Sequence, residues 1–226
     1  MYLTRFQINP ARRNARKLLS SPQAMHAAVR AAFQDAADYE RPGARTLWRI
    51  DTQATATVYL YIVSPGRPDL THLIEQAGWP TAAEGWVTRD YQGLLDSLRA
   101  GQRWAFRLTA NPTHSGRKTS DAKETQRFGY LREHEQVGWL TARAARHGFA
   151  LASQQDGSPN VRLHQRRTQS FRRGMGTVTI TTATYDGVLE VTDAEAFRRA
   201  LTTGIGHAKA YGCGLLTLAP VPAAVA

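Results

Sequence analysis

The two halves of this 226-residue chain carry the same order of segment types, and this order most constrains its fold. In the first half, strand-like MYLTRFQI precedes SSPQAMHAAVRAAFQDAADYE, which has the periodicity of a helix. RTLWRID and ATVYLYIVS then favour two strands, and DLTHLIEQAG a short helix ending at Gly78. Ser20 or Ser21 can cap the long helix, because a hydroxyl accepts from the free amides of the first turn. Pro22 suits the first helical position.

The second half repeats the pattern, although not the letters. QRWAFRLTANP favours a strand closed by Asn111-Pro112, THSGRKTSDAKETQ has loop composition, and RFGYLREHEQVGWLTARAARHGF favours a helix that ends near Gly148. Strands follow around FALAS, VRLHQ and TVTITTATY. TDAEAFRRALTTG favours a helix with a Thr192…Glu195 capping box, and CGLLTLAPV is the closing strand. Each half approximates βαββαβ. We therefore predict an α+β fold of two tandem ferredoxin-like (RRM-like) domains, residues 1–92 and 93–226.

The charge of the chain predicts a polyanionic partner. The formal net charge is +11, and all but four of the 29 basic residues are arginine. Arginine is favoured where planar, forked contacts to phosphate or guanine are needed. Nucleic acid is the leading expectation for the partner.

Several other classes of protein are disfavoured. No apolar run reaches the length of a membrane span, and the N-terminus lacks the order of a signal peptide. A single cysteine cannot form an internal disulfide, which favours a cytoplasmic protein. The seven histidines are scattered without a cluster of Asp or Glu, so we expect no metal site and no cofactor. We expect a monomer when the protein is isolated.

A long segment of the second half is basic and contains no acidic residue. From Gly157 to Tyr185 there is neither Asp nor Glu. The arginines of this segment are Arg162, Arg166, Arg167, Arg172 and Arg173. This pattern predicts a hairpin with a basic tip that contacts several phosphates. The alternative is an edge strand protected from aggregation by charge.

The segment GIGHAKAYGCG before the closing strand is rich in glycine. It does not open a helix with the spacing of a dinucleotide fingerprint, and it lacks the Gly-Lys-Ser/Thr of a Walker A motif. We predict a backbone cradle for nucleic acid, in which glycines permit close approach and Lys209 adds charge. The residues assigned to this cradle are Gly204, Gly206, His207, Lys209 and Gly212. The alternative is a helix C-cap followed by a loose turn.

The same segment resembles the C-terminal signature of the CRISPR-associated CasE (Cse3) endoribonucleases. MYLTRFQINP, the M-H of PQAMHAAV, WAFRLTANP and GVLEVTDAEAF agree with that family in order, so the resemblance covers essentially the whole chain. It implies two ferredoxin-like domains and metal-independent cleavage of CRISPR repeat RNA at the foot of a stem-loop. It also implies an enzyme that remains on its product within the Cascade complex.

The resemblance assigns the catalytic role to His26. From periodicity, His26 lies about 100° around the helix from core-facing Met25, at the rim of the helix. Arg30 lies one turn further on the same face, where it can meet a phosphate. By periodicity alone, a surface histidine on an alanine-rich helix is the favoured interpretation of His26, and the family resemblance reverses that order.

Two positions depart from the family pattern. Gln23 stands where well-known relatives have a tyrosine three positions before the histidine, and His207 stands where proline is common. An amide is neither acid nor base, although Gln23 can still orient a phosphate. Further charge near the same cleft is expected from Arg12, Arg13 and Lys17. The alternative functions are a subunit that binds repeat RNA with weak or no cleavage, and a DNA-binding protein, for which no helix-turn-helix or zinc finger is recognisable.

Overall fold

Strands from the two halves of the chain form two separate antiparallel sheets in the structure, a computed structural model that describes residues 1–80, 84–117 and 125–221. The first half contains β1 (Tyr2–Ile8), α1 (Arg13–Ser20), α2 (Pro22–Arg30), α3 (Ala36–Tyr39), β2 (Glu40–Arg41), β3 (Ala44–Arg45), β4 (Leu47–Thr52), β5 (Val58–Ser64), α4 (Thr71–Ala77) and β6 (Trp86–Asp90). The main sheet has the order β4-β5-β1-β6, and β2 and β3 form a small hairpin. Counting only the four strands of the main sheet, this is the 2-3-1-4 order of a ferredoxin-like fold.

The second half builds the same arrangement with a long additional hairpin arm. It contains α5 (Gln92–Ser97), β7 (Arg103–Ala110), β8 (Thr113–Arg117), β9 (Thr125–Gly129), α6 (Glu133–Ala144), β10 (Phe149–Leu151), β11 (Val161–Arg173), β12 (Gly176–Val191), α7 (Ala194–Thr203) and β13 (Leu216–Ala219). The sheet order is β10-β12-β7-β13, and β11 also pairs with β12. The predicted fold of two ferredoxin-like domains is confirmed. The division at residues 92 and 93 stays a prediction.

The first sheet is covered on both faces. On one face, Phe6 of β1 and Leu60 of β5 pack in the same hydrophobic core as Met25 of α2, and all three are nearly inaccessible to solvent. The opposite face contributes Leu47 and Val63 to the hydrophobic core of the second half. The two halves therefore share apolar contacts, and residues from both can meet in one site.

A buried ion network also joins the two sheets. The Arg49 side chain is 2% exposed and donates two hydrogen bonds to the Asp51 carboxylate, at 2.6 and 2.8 Å. Nη1 donates to the carbonyl oxygens of Arg107 and Leu215, at 2.9 and 3.0 Å, and Nη2 also donates to the Thr217 hydroxyl, at 2.9 Å. Arg107 in turn pairs with Asp186 at 2.5 Å. Because the Arg49–Asp51 pair is hydrogen-bonded, it tolerates burial between the two sheets, whereas Arg107 and Asp186 are partly exposed.

The helix predicted for residues 20–40 begins at Pro22 as predicted, but it is two helices, α2 and α3, separated by residues 31–35, and a further helix, α1, precedes it. α1 begins at Arg13, and it buries only Ala15 and Leu18. The chain breaks at Ser21, whose side chain accepts from the Ala24 amide at 3.2 Å, as predicted for a cap. The break has a local cause, because Pro22 has no amide hydrogen and cannot continue the preceding helix.

Three boundaries in the second half also differ from the prediction. The predicted helix at RFGYLREHEQ begins only at Glu133, and Thr125–Gly129 is strand β9. Residues 113–117 of the predicted loop form β8, while residues 118–124 lie outside the described residues. The cap of α7 is Asp193 instead of Thr192, because the Asp193 carboxylate accepts from the amides of Glu195 and Ala196.

Candidate active site

His26 lies where the two halves of the chain meet. Helix α2 places the half-buried imidazole between two tyrosine rings, each oriented edge-on to it. The ring centroid of Tyr39, at the end of α3, is 6.5 Å away, and that of Tyr211 is 6.2 Å away. Tyr211 belongs to a 3-10 turn, Lys209–Tyr211, within the glycine-rich segment. Sequence positions 185 residues apart therefore form one pocket around the histidine.

Arginines from three elements surround His26. Burial lowers the pKa of this histidine most, and the charges of Arg173, Arg45 and Arg30 lower it further. Arg30 lies on α2 itself, Arg45 on β3, and Arg173 at the end of β11. A histidine in this environment stays neutral at neutral pH, so its free nitrogen can accept a proton.

Two polar groups on the same face of α2 have no partner within the described ranges. Nδ1 of His26 and Oε1 of Gln23 are both buried and make no hydrogen bond to other described residues. Residues three apart share a helix face, so the two groups are neighbours. Buried polar groups are nearly always hydrogen-bonded in folded proteins. Nδ1 of His26 and Oε1 of Gln23 are exceptions to that rule among the described residues.

The predicted basic hairpin is present and its end lies over α2. β11 and β12 pair as far as Arg173 and Gly176, and Met175 at the tip is fully exposed. The Phe171 ring on β11 contacts Tyr211 edge-on, with centroids 4.7 Å apart. This contact holds the end of the hairpin, and with it Arg173, beside His26.

All five arginines assigned to the hairpin surface are exposed: Arg162, Arg166, Arg167, Arg172 and Arg173. Arg166 differs, because its guanidinium already has protein partners. It donates to the side chain of Gln136 at 2.9 Å and to the carbonyl of Leu131 at 2.7 Å, and it pairs with Glu133 at 3.3 Å. Arg166 ties the hairpin to α6, and a role for it in RNA contact stays a prediction.

The basic residues before and within α1 occupy different environments. Arg12 donates to the carbonyls of Ile74, Glu75 and Gly78 and so satisfies the C-terminal end of α4. Arg13 and Lys17 are exposed on α1. These two remain available to a ligand, whereas the Arg12 guanidinium is engaged.

Arg30 is held close to the site by two contacts. Its guanidinium carbon lies 4.9 Å from the centre of the Tyr39 ring, in the geometry of a cation–π interaction. One of its nitrogens donates to the carbonyl of Phe33 at 3.2 Å. Arg30 is therefore fixed one turn beyond His26, as its position in the helix predicted.

The glycine-rich segment passes between the two halves of the chain. Gly204 and Gly212 have φ angles of +78° and +80°, which favour glycine. A Cβ atom at Gly204 would lie 2.7 Å from Leu47, and one at Gly212 would lie 2.7 Å from the Trp48 ring. The glycines thus permit the segment to pack on β4 and to carry Tyr211 to His26.

The other members of the predicted cradle take different positions. Gly206 accepts a hydrogen bond at its carbonyl from the Lys209 ammonium, at 2.7 Å. Burial lowers the pKa of Lys209, with a smaller effect from Arg45. His207 is exposed. Contact between this segment and RNA stays a prediction, beside the packing role that the structure gives to its glycines.

Comparison with known proteins places the chain in a family. Residues 1–220 match the model of the family described as CRISPR associated protein. The chain is 30% identical over 227 residues to the CRISPR-associated endoribonuclease Cse3 of Thermus thermophilus, covering 97% of this chain and 100% of the relative. The chain belongs to the CasE/Cse3 family of CRISPR-associated endoribonucleases. The family resemblance read from its motifs is confirmed.

One further member of the CasE/Cse3 family and one solved structure extend the comparison. The Cascade subunit CasE of Escherichia coli is 34% identical over 155 residues, which cover 66% of this chain and 74% of that protein. The structure of Thermus thermophilus Cse3 bound to an RNA representing a pre-cleavage complex superposes with a TM-score of 0.77. It shares 31% identity and covers 97% of this chain and 98% of the other.

Three residues around His26 of this CasE/Cse3 chain were not identified from the sequence: Tyr39, Arg45 and Tyr211. Tyr39 lies near the end of the predicted helix and Arg45 at the start of a predicted strand, and neither belongs to a motif that would mark it as a site residue. Tyr211 lies inside the glycine-rich segment, so the segment itself was the available signal. Only folding brings all three to the histidine.

Neither a metal site nor a membrane helix is found in the part of the CasE/Cse3 chain that the structure describes. Across residues 1–80, 84–117 and 125–221, no three His, Cys, Asp or Glu side chains group as metal ligands would. No helix in these ranges is both long and apolar enough to cross a bilayer.

Proposed function

We propose that this chain cleaves precursor CRISPR RNA at the base of the repeat stem-loop, without a metal ion, and stays bound to the product within Cascade. The attacking group is the 2′-hydroxyl of the RNA itself. Support comes from the relatives, one named an endoribonuclease and another a Cascade subunit. The observation that carries the proposal is His26, a neutral base held among arginines from both halves of the chain.

In this mechanism, His26 accepts the proton of the 2′-hydroxyl. The 2′-oxygen then forms a bond to the adjacent phosphorus, and the bond from phosphorus to the 5′-oxygen breaks. The products are a 2′,3′-cyclic phosphate and a 5′-hydroxyl. General base catalysis by a positioned histidine contributes roughly 10²- to 10⁴-fold in rate. The lowered pKa of His26 keeps the imidazole in the form that this step requires.

The arginines stabilise the charge that develops on the phosphorane. Arg30, Arg45 and Arg173 approach the histidine from separate elements, so they can contact different oxygens of one phosphate. Fixed cations of this kind act most strongly in a site from which water is largely excluded. They also offset the negative charge of RNA as it binds.

The proton for the leaving 5′-oxygen comes from a group other than Gln23, because a side-chain amide is far too weak an acid to protonate that oxygen at neutral pH. Tyr39 is the flanking side chain whose pKa is raised, mainly by burial, so its hydroxyl stays protonated at neutral pH. Its ring lies edge-on to that of His26, with the centroids 6.5 Å apart, and this proximity supports Tyr39 as the second proton-transfer group. Protonated His26 is the other donor within the site.

Cleavage of a repeat hairpin RNA by purified His26→Ala protein, in buffer containing EDTA, tests the proposal. The wild-type protein should cut at one site and leave a 2′,3′-cyclic phosphate, whereas the variant should bind the hairpin and not cut it. His134→Ala is the matched control, because His134 is exposed on α6 away from the site. Cleavage by His26→Ala at the wild-type rate would show that His26 is not the base, and wild-type cleavage that EDTA abolishes would show that a metal is required.

A second candidate is a subunit that holds the repeat RNA with weak or no cleavage. The observation that favours it is Gln23, which replaces the tyrosine common in relatives. The same gel separates the two functions. Tight binding of the hairpin by wild-type protein without product would support the second.

A further inference from the structure

The C-terminal end of α2, the helix that carries His26, is held by a side chain from another helix. In a regular α-helix the Ala28 carbonyl would accept from the Ala32 amide, four residues on. The Ala32 amide instead donates to the Val29 carbonyl, at 3.2 Å. Nε2 of His72, on α4, lies 2.9 Å from the freed Ala28 oxygen. A carbonyl oxygen only accepts, so this nitrogen carries the proton and His72 caps the end of α2.

Helix α4, which presents His72 to α2, is itself fixed at both ends. At its start, the Asp69 carboxylate accepts from the amide and the hydroxyl of Thr71, at 2.9 and 2.6 Å. The Asp69 amide donates to the Ala32 carbonyl, at 3.0 Å, which adds a second bond between the start of α4 and the end of α2. At its other end, Arg12 binds the carbonyls of the last turn. The imidazole of His72 is therefore held in place from its own side of the contact.

The capped carbonyl lies midway between the two residues of α2 that the proposed reaction uses. His26 is two residues before Ala28, and Arg30 is two residues after it. Arg30 ends the last turn of the helix, where its guanidinium packs on the Tyr39 ring. Helix ends fray readily, because their terminal carbonyls lack partners within the helix. The hydrogen bond from His72 therefore acts on the placement of Arg30 relative to the imidazole of His26.

We infer that His72 is a positioning residue for the cleavage reaction, because it fixes the last turn of α2 and thereby holds Arg30 beside the phosphate that reacts at His26. The inference rests on the proposed cleavage activity. His72 is half-buried between two helices, and in this role it contacts neither the RNA nor the reacting atoms. Misplacing a positioned group by about 1 Å can slow a reaction by roughly 10²-fold. Loss of the cap should therefore slow the chemical step and leave RNA affinity unchanged.

Single-turnover cleavage of a repeat hairpin RNA by His72→Ala protein tests the inference. At saturating protein the rate should fall about tenfold, while the dissociation constant of the RNA stays unchanged. His72→Gln, whose side-chain amide can donate to the same carbonyl, should restore most of the rate. Tyr185→Phe is the matched control, because it removes one buried hydrogen bond to a helix carbonyl, that of Gln136 at 3.0 Å, in the core of the second half. This control should cut at the wild-type rate.

Two further measurements separate positioning from a general loss of stability. If His72 acts through Arg30, His72→Ala should slow the Arg30→Ala protein no further. The same coupling should appear in the pKa of His26, measured by NMR titration without RNA, with His26→Gln protein identifying the signal. Burial lowers this pKa most, and Arg173, Arg45 and Arg30 lower it further. Displacing Arg30 in His72→Ala should therefore raise the pKa of His26, and His72→Gln should return it to the wild-type value.

Equal fold-losses from His72→Ala with and without Arg30, or an unchanged pKa of His26 in folded His72→Ala protein, would overturn the inference. An equal loss of rate in Tyr185→Phe would also overturn it, since lost stability would then explain the effect. If the wild type cuts no RNA, the proposed function fails, and the titration still decides whether His72 positions Arg30. Should His72→Ala not fold, His72→Asn replaces it in every measurement, because its shorter amide stops short of the Ala28 carbonyl.

Discussion

Arginine is used in two opposite ways in this molecule. Between the sheets, Arg49 is buried and fully engaged by Asp51 and by carbonyl oxygens of the other half. Around His26, the nearby charges that lower its pKa are all arginines, and the carboxylate closest to them, Glu40, stands 3.6 Å from Arg45 at the exposed side. The comparison teaches that paired cations hold the two domains together, whereas cations with few partners remain available to an anionic substrate.

Removing the buried arginine should have the largest effect on stability. Arg49→Met leaves the Asp51 carboxylate and two carbonyl oxygens without their donors in a buried place. Breaking a buried ion pair from one side costs about 3–5 kcal/mol. Urea unfolding should report this loss, and Arg162→Met, on the exposed face of β11, should change stability by less than about 0.5 kcal/mol. Equal stabilities of the two variants would show that the buried arginine does not hold the two sheets together more than an exposed one.

Removing an arginine beside His26 should slow cleavage and leave stability nearly unchanged. Arg45→Ala or Arg173→Ala should slow single-turnover cleavage about tenfold each, because a charge-assisted contact to the developing phosphorane contributes about 1.5–3 kcal/mol. Unfolding free energy should change by less than about 0.5 kcal/mol for Arg173, which is exposed. Exposed Arg103→Ala is the control for general charge. Unchanged cleavage in both site variants would contradict the assigned role.

Within the hairpin, replacing an arginine without protein partners should change the salt dependence of RNA binding, whereas replacing an arginine that the protein already binds should not. Arg172→Ala should reduce the slope of log affinity against log salt by up to about one unit, because one phosphate contact releases about one counterion. Arg166→Ala should lower stability and leave the slope unchanged, since that guanidinium already binds Gln136, Leu131 and Glu133. Binding measured between low and moderate salt checks both. The same slope change in the two variants would place Arg166 in the interface.

The smallest effect concerns pH. The folded pKa of His26 lies below the ordinary 6.5, so the base stays neutral down to more acidic pH than a free histidine. Cleavage should therefore fall only below about pH 6.5. Arg173→Gln removes one cause of the lowered pKa of His26, so the acid limb of the pH profile of cleavage should move to higher pH. Burial is the largest cause of the lowered pKa and should keep this limb below pH 6.5. An acid limb that stays in place would show that Arg173 does not face the histidine.

The same linkage predicts a matching change in stability. Because folding lowers the pKa of His26, the unfolded chain binds the proton more readily. The contribution of this group to stability is present above pH 6.5 and is lost as pH falls through the lowered folded pKa. A protein with His26→Gln should lack that contribution, and comparing its urea midpoints with wild type on acidification measures it.

Much of the fold was predictable because its signals are local. Alternating apolar residues identified β1, β5 and β7, and a glycine after the last turn identified the end of α4. The start of α2 was predicted from Ser21 and Pro22, whereas helix α1 before it and the end of α2 at Arg30 were not. A continuous apolar periodicity does not show where a chain changes direction, because that is decided by packing against the sheet.

The candidate site was predictable only in part. Family motifs identified His26, and the acid-free segment predicted the hairpin. Arg12 and Arg166 looked like ligand-binding residues but are engaged by the protein, since sequence does not reveal which guanidinium reaches a carbonyl oxygen. Tyr39 and Arg45 gave no signal, because their proximity to the histidine arises from long-range contacts.

The sequence by itself determined the repeated βαββαβ order, the excess of arginine, and the position of the histidine on its helix, because each depends on residues close together in the chain. Tertiary structure decided which cations stay free and which tyrosines flank His26. Those features need the first helices, the hairpin and the glycine-rich segment in one place. Their side chains pack through space, and no local pattern encodes that contact.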